Sequence, residues 1–268
     1  MRIVNHVLLD VETIDIDQFG KFTVPYGIEQ IASCACQELQ NLKTVILPNT
    51  VTCIQGGAFY NCRNLEFVHL SANIEKIGMN AFQNCSALTS IKIPSLVTQI
   101  EPRTFFGCTS LTNVSLHDNI ARIGNSAFER CSKLEFVHFP EKLKSIGRSA
   151  FNDCEKLNNI YLPMGVESIG KTAFSGCKSL SQIFIPESVS SINAYAFSRC
   201  YSLKSIDVPE NTVVNTAAFI YCSPDLEVHR SKGLSEDLFS AAINNKMFEN
   251  QTSEKAHFNS VNLENEER

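Results

Sequence analysis

The sequence predicts an α/β solenoid, a one-dimensional stack of short units that each carry a β-strand and, opposite it, a short helical or 3-10 turn. Three observations carry this reading. Cysteine recurs every 23 residues at Cys62, Cys85, Cys108, Cys131, Cys154, Cys177 and Cys200, then after 22 at Cys222. Phenylalanine stands three residues before each of them, at Phe59, Phe82, Phe105, Phe128, Phe151, Phe174, Phe197 and Phe219. Seven of the nine prolines share a third position: Pro25, Pro48, Pro94, Pro140, Pro163, Pro186 and Pro209. A fixed period in the twenties is the mark of a repeat architecture.

One unit reads Leu157-x-x-Ile160-x-Leu162-Pro163-x-x-Val166-x-x-Ile169-Gly170-x-x-Ala173-Phe174-x-x-Cys177. Ile160-x-Leu162 alternates with period two, as a strand with one buried face does. Pro163 ends that strand because it has no N–H for the ladder. Gly170, matched by Gly78, Gly124 and Gly147 and by Asn193 and Asn215, marks a place where positive φ is expected. Ala173-Phe174-x-x-Cys177 reads as the helical or 3-10 turn, with the small Ala for close approach and the Phe filling the interior. Leu42 and Phe19 continue the leucine column upstream. A unit standing alone cannot repay the entropy of ordering its chain, so neighbours must cover its two open faces.

This register resembles the 23-residue leucine-rich repeat of the Treponema-type, BspA-like family. The resemblance runs from about residue 19 to 228. It implies a leucine-rich-repeat solenoid, curved, with a parallel β-sheet on its concave side and short helical or 3-10 turns on the convex side. It also implies surface or effector proteins that bind other proteins, and it transfers no catalytic residue.

The ends depart from the repeat. Residues 1–20 are read as an N-terminal cap, with Val7-Leu8-Leu9 and Ile14-Asp15-Ile16 as irregular closing strands. Residues 21–228 form the solenoid of about nine to ten repeats. Residues 229–248 predict a C-terminal cap helix, N-capped by Ser235 and carrying Leu238, Ala242 and Ile243. Residues 249–268 hold five acidic residues and little that is apolar, and are read as a disordered acidic tail. Such a Glu-rich C-terminus is similar to the translocation signals of some effectors injected through type IV systems.

Composition narrows the function. The 23 basic and 28 acidic residues give a net charge of -5, with no broad attraction to phosphate, so nucleic acid is not expected as a partner. The apolar run at the N-terminus is broken by Asp10 and Glu12, and no stretch is long enough for a membrane span. The expectation is a cytoplasmic, monomeric protein without a signal peptide, with a signal-independent route into a host cell left open. The cysteine column reads as a buried ladder. Cys34, Cys36 and Cys53 lie off it without a C-x-x-C pair or ligand-spaced His, so neither metal nor cofactor is expected. Of the six histidines, His69 and His138 share a register position, yet no nucleophile or carboxylate stands near His138 in the pattern. Hydrolase and phosphate-loop motifs are missing as well, so no catalytic residue is assigned and an enzyme is not expected.

What the strands expose is more informative. With Ile160 and Leu162 inside, Asn159 and Tyr161 face outward on the concave side. The outward centre column then runs Thr23, Ile46, His69, Lys92, Ser115, His138, Tyr161, Phe184, Asp207 and Glu227. Phe67 and Phe136 stand in the column beside it. Aromatic residues on consecutive strands make a patch roughly 10 Å long, of the kind enriched at binding hot spots. The candidate partner-binding residues are therefore Phe67, His69, Phe136, His138, Tyr161, Phe184 and Asp207. The function expected is a scaffold binding a partner protein on the concave sheet, as an effector acting on a host protein or, alternatively, as a surface adhesin-like structural module.

Overall fold

The computed structural model describes residues 1–231, and the segments read as the C-terminal cap helix and the acidic tail lie outside the described residues. Each repeat contributes two strands. The front ladder contains the expected strands: Lys21–Thr23, Thr44–Ile46, Phe67–His69, Ser90–Lys92, Asn113–Ser115, Phe136–Val137, Asn159–Tyr161, Gln182–Phe184, Ser205–Pro209 and Glu227–Ser231. All pair in parallel, in runs of three, three, two and two strands. In the register, Asn159 stands on Gln182 and Tyr161 on Phe184.

A second parallel ladder was not read from the sequence. Two-residue strands at Gln30–Ile31, Cys53–Ile54, Lys76–Ile77, Gln99–Ile100, Arg122–Ile123, Ser145–Ile146, Ser168–Ile169, Ser191–Ile192 and Val213–Val214 stack in two sheets. They occupy the Val-x-x-Ile stretch, where the isoleucine points inward and its predecessor outward. Two residues are too few for an alternation to show. At the N-terminal end Val7–Asp10 joins this ladder beside Gln30–Ile31 and folds back on Arg2–Val4 as an antiparallel hairpin. Asn5 and His6 both have positive φ there, as a tight two-residue hairpin turn requires.

The Ala-Phe-x-x-Cys segment is not helical. Only Thr13–Asp15 forms a 3-10 turn among the described residues. The N–H groups of Ala173, Ser175 and Cys177 bond three residues back, to Gly170, Thr172 and Phe174. Those of Thr172, Phe174 and Gly176 instead reach Ala194, Ala196 and Ser198 of the next repeat, at 3.0, 2.8 and 2.8 Å. A helix needs all its donors for itself and negative φ throughout. Here alternate donors serve the neighbouring repeat, and Thr172 and Gly176 have φ of 56° and 75°. The segment is a run of β-turns bonded into a third ladder. Positive φ is thus needed just before each Cys, at Asn61, Asn84, Gly107, Asp153 and Gly176 among others. The sequence carries that signal in its Asn, Asp and Gly.

The glycine column expected to have positive φ does not have it. Gly170 is there for closeness: an added Cβ would lie 2.7 Å from the Gly147 carbonyl carbon, and at Gly124 2.7 Å from Pro102 N. Phe19 also departs from expectation, since it is exposed rather than continuing the leucine column into the core.

The interior is a set of ladders. Phe59 to Phe219 stack ring on ring at 5.2–5.6 Å, within 11° of parallel. Phe139 meets Phe151 edge-on at 5.4 Å. Burying each ring is worth about 1.5–3 kcal/mol, and the ring contacts add about 0.5–1.5 more. The cysteines beside them are buried free thiols, and each donates to a carbonyl of the repeat before it. Cys85 bonds Phe59 O at 3.2 Å, and Cys108, Cys131, Cys154, Cys177 and Cys200 repeat this with Phe82, Phe105, Phe128, Phe151 and Phe174. A hydrophobe in that place would leave the carbonyl's second lone pair unmet. Two gaps in the proline column are filled by other acceptors. Ser71 Oγ and His117 Nδ1 each take the N–H two residues on, from Asn73 at 3.1 Å and Asn119 at 3.2 Å. His117 is a turn residue on this evidence.

Burial raises the thiol pKa throughout the column, and Cys62 moves from the usual 9.0 to about 12. A raised acid pKa means the folded state holds its proton longer. The stabilisation is complete below pH 9 and is lost as pH rises from there toward the folded value. The urea midpoint is expected to fall steeply between pH 9 and 11, and a flat profile would contradict the protonated ladder. Thiol titration of the native protein at pH 8 is expected to find Cys34 at once, Cys53 and Cys222 slowly, and the other eight only in denaturant.

Candidate functional site

The outward side chains of the front ladder are positioned by its register. Val, Ile and Phe at the middle of each strand are buried, which turns the residues on either side outward. Tyr161 and Phe184 occupy the third position of neighbouring strands, and their rings stack at 5.1 Å and 16°. Both are half-buried, largely by each other and by the strands beneath. Phe136 is half-buried in the adjoining column, where it pairs with Asn113. His138 is exposed just past the end of its strand, which stops at Val137. These four lie on three consecutive repeats and form one patch.

Phe67 and His69 share a single strand and are exposed. They sit three repeats from Phe136 and His138, about 14 Å away at the usual strand spacing. Ser90, Lys92, Asn113 and Ser115 fill the interval, so the sheet brings the seven candidates into two clusters rather than one. Asp207 is exposed at the far end of the larger cluster, one strand beyond Phe184.

The centre column is corrected at its last step. Asp207 stands on His229, whereas Glu227 stands on Ser205 in the other column. The physical reason is the one-residue shortening of the repeat, which falls between Thr212 and Val213: Ser191 pairs with Val213 and Ser205 with Glu227, each 22 residues on. His229 Nε2 lies 3.3 Å from Glu227 Oε2, an exposed and therefore strongly screened contact. His229 belongs to the acidic end of this face, and the sequence reading missed it because the slip hid its register.

One polar atom on this face is unusual. Among the described residues the Tyr161 hydroxyl is the single buried side-chain oxygen or nitrogen without a hydrogen-bond partner. Leaving such a group unmet costs about 1–3 kcal/mol. The other histidines have local roles or open surroundings: His6 Nδ1 donates to Gly27 O at 2.9 Å. No group of three or more ligating side chains among the described residues could hold a metal ion, and no helix there is long and apolar enough to cross a membrane.

The BspA-type leucine-rich-repeat region family model matches residues 15–135 and 98–225, in six copies. Among solved structures, the chain is similar to the leucine-rich-repeat protein TpLRR of T. pallidum, with 28% identity and a TM-score of 0.56 over 60% of this chain and 78% of that one. It is also similar to the pneumococcal vaccine antigen PcpA, at 18% identity and a TM-score of 0.53 over 87% and 73% of the two chains, which is a likeness of fold. No curated sequence matches.

Removing the Tyr161 hydroxyl separates its stability role from any binding role. Tyr161→Phe is expected to keep or raise the urea midpoint, by up to about 1 kcal/mol in unfolding free energy. A clear loss of stability would mean that the hydroxyl is already satisfied within the protein.

Proposed function

Since this chain belongs to the BspA-type leucine-rich-repeat family, we propose that it is a protein-binding scaffold whose contact surface is the outward face of the front ladder, centred on Phe136, His138, Tyr161 and Phe184. Repeat proteins of this kind serve as protein-interaction or surface modules. The observation that carries the finer reading is the Tyr161–Phe184 stack. Two aromatic rings are held in one geometry by adjacent strands, so docking against them orders little that is not already ordered. The buried, unpartnered Tyr161 hydroxyl adds a polar group that a partner atom can satisfy. Asp207 and Glu227 at one end favour a partner with a basic flank and set its orientation. Phe67 and His69 form a separate, weaker contact zone higher on the ladder.

We place this scaffold with effectors that act on a host protein, and the support is the Glu-rich composition of residues 249–268. Delivery measured with and without those residues tests that setting. Retention of the full chain on the cell surface would make it an adhesin-like module instead.

Replacing Tyr161 and Phe184 together with Ala is expected to weaken capture of the partner at least 100-fold, since each hot-spot ring is worth about 2 kcal/mol or more. The variant should still unfold cooperatively. Undiminished capture by the folded double variant would remove this face from consideration.

A further inference from the structure

Exposed large apolar side chains are absent between Val97 and Ala194 among the described residues and return at the C-terminal end of the stack: Tyr195, Tyr201, Val213, Tyr221 and Val228. The end itself is open. Phe219 stacks on Phe197 and is half-buried, whereas the seven rings before it are fully buried. Val214, Cys222 and Leu226 are likewise half-buried against the core, and Val213 is 71% exposed. Among the described residues, the strand Glu227–Ser231 pairs with Ser205–Pro209 alone, and Val213–Val214 with Ser191–Ile192 alone. The N-terminal end is different: the Arg2–Asp10 hairpin and the 3-10 turn close it, and Leu8, Val11 and Ile16 are buried. An open solenoid end frays and offers its strand edge to other chains.

The chain that follows Ser231 has the composition to close this end. Leu238, Phe239, Ala242, Ile243 and Met247 recur at the three- and four-residue spacings of one helix face, with Ser235 as N-cap, Glu236 and Asp237 in the first turn and Lys246 near the end. Gly233 precedes it, and only a few residues separate its start from the last strand. We propose that residues 235–248 lie across the open C-terminal end in cis, covering Phe219, Val214 and Leu226. Local connection favours this segment over a second copy of the chain, because its effective concentration at the end is high whatever the protein concentration.

The test is hydrogen exchange on the full chain carrying Phe239→Asp and Ile243→Asp. The amides of Val213–Val214 and Glu227–Ser231 are expected to lose at least tenfold of their protection, while those around Phe105 and Phe128 keep theirs. The conservative pair Phe239→Leu and Ile243→Leu should retain it. Unchanged end protection in the Asp variant would overturn the proposal. So would end protection in the parent chain that appears only as concentration rises and tracks a dimer in light scattering, which would assign the end to a second copy. Should the Asp variant lose protection throughout, Ile243→Ala decides: loss confined to the end supports the cap, and no loss there refutes it.

Discussion

Each interior carbonyl of the phenylalanine column is used twice, and the stack depends on that double use. Phe59 O accepts the Cys62 N–H at 3.3 Å, which closes its own turn, and the Cys85 thiol at 3.2 Å, which ties it to the next repeat. Local shape and stacking are thereby set by the same atom. The 23-residue period follows, because a repeat of another length would present its thiol at the wrong place. Burial keeps every thiol in the column protonated, so the donor is always available.

The turn segment shows how far neighbour contacts override local preference. Ala-Phe-x-x-Cys has the spacing of a helical turn, and nothing in its own residues forbids one. It is extended into tandem β-turns because half of its N–H groups find better acceptors one repeat away. Backbone bonding across repeats therefore runs along three sides of each unit rather than one. The glycines opposite reflect the same closeness: they stand where two backbones nearly touch, and their φ values are ordinary.

The candidate face is a by-product of this framework. Side chains on the front ladder are spaced by hydrogen bonding, and their identities are free to vary because their inward neighbours carry the stability. That freedom makes the Tyr161–Phe184 pair informative, since the core does not require it. It also limits what one sequence reveals. The aromatic cluster was legible because Phe136, His138, Tyr161 and Phe184 fall on consecutive repeats of unbroken register. The division from Phe67 and His69 was legible as well. The acidic end was not, because a single missing residue after Thr212 moved Glu227 into the other column and brought His229 beneath Asp207.

By itself the sequence determined the repeat length, the inward columns of Leu, Ile, Phe and Cys, and the strand that exposes the aromatic residues. These depend on spacing along the chain and on which side chains avoid water. Tertiary structure alone decided the second ladder, the turns in place of helix, the role of the glycines and the unmet Tyr161 hydroxyl. Each of those turns on which donor meets which acceptor in another repeat, and that is a property of the stacked chain rather than of any 23 residues within it.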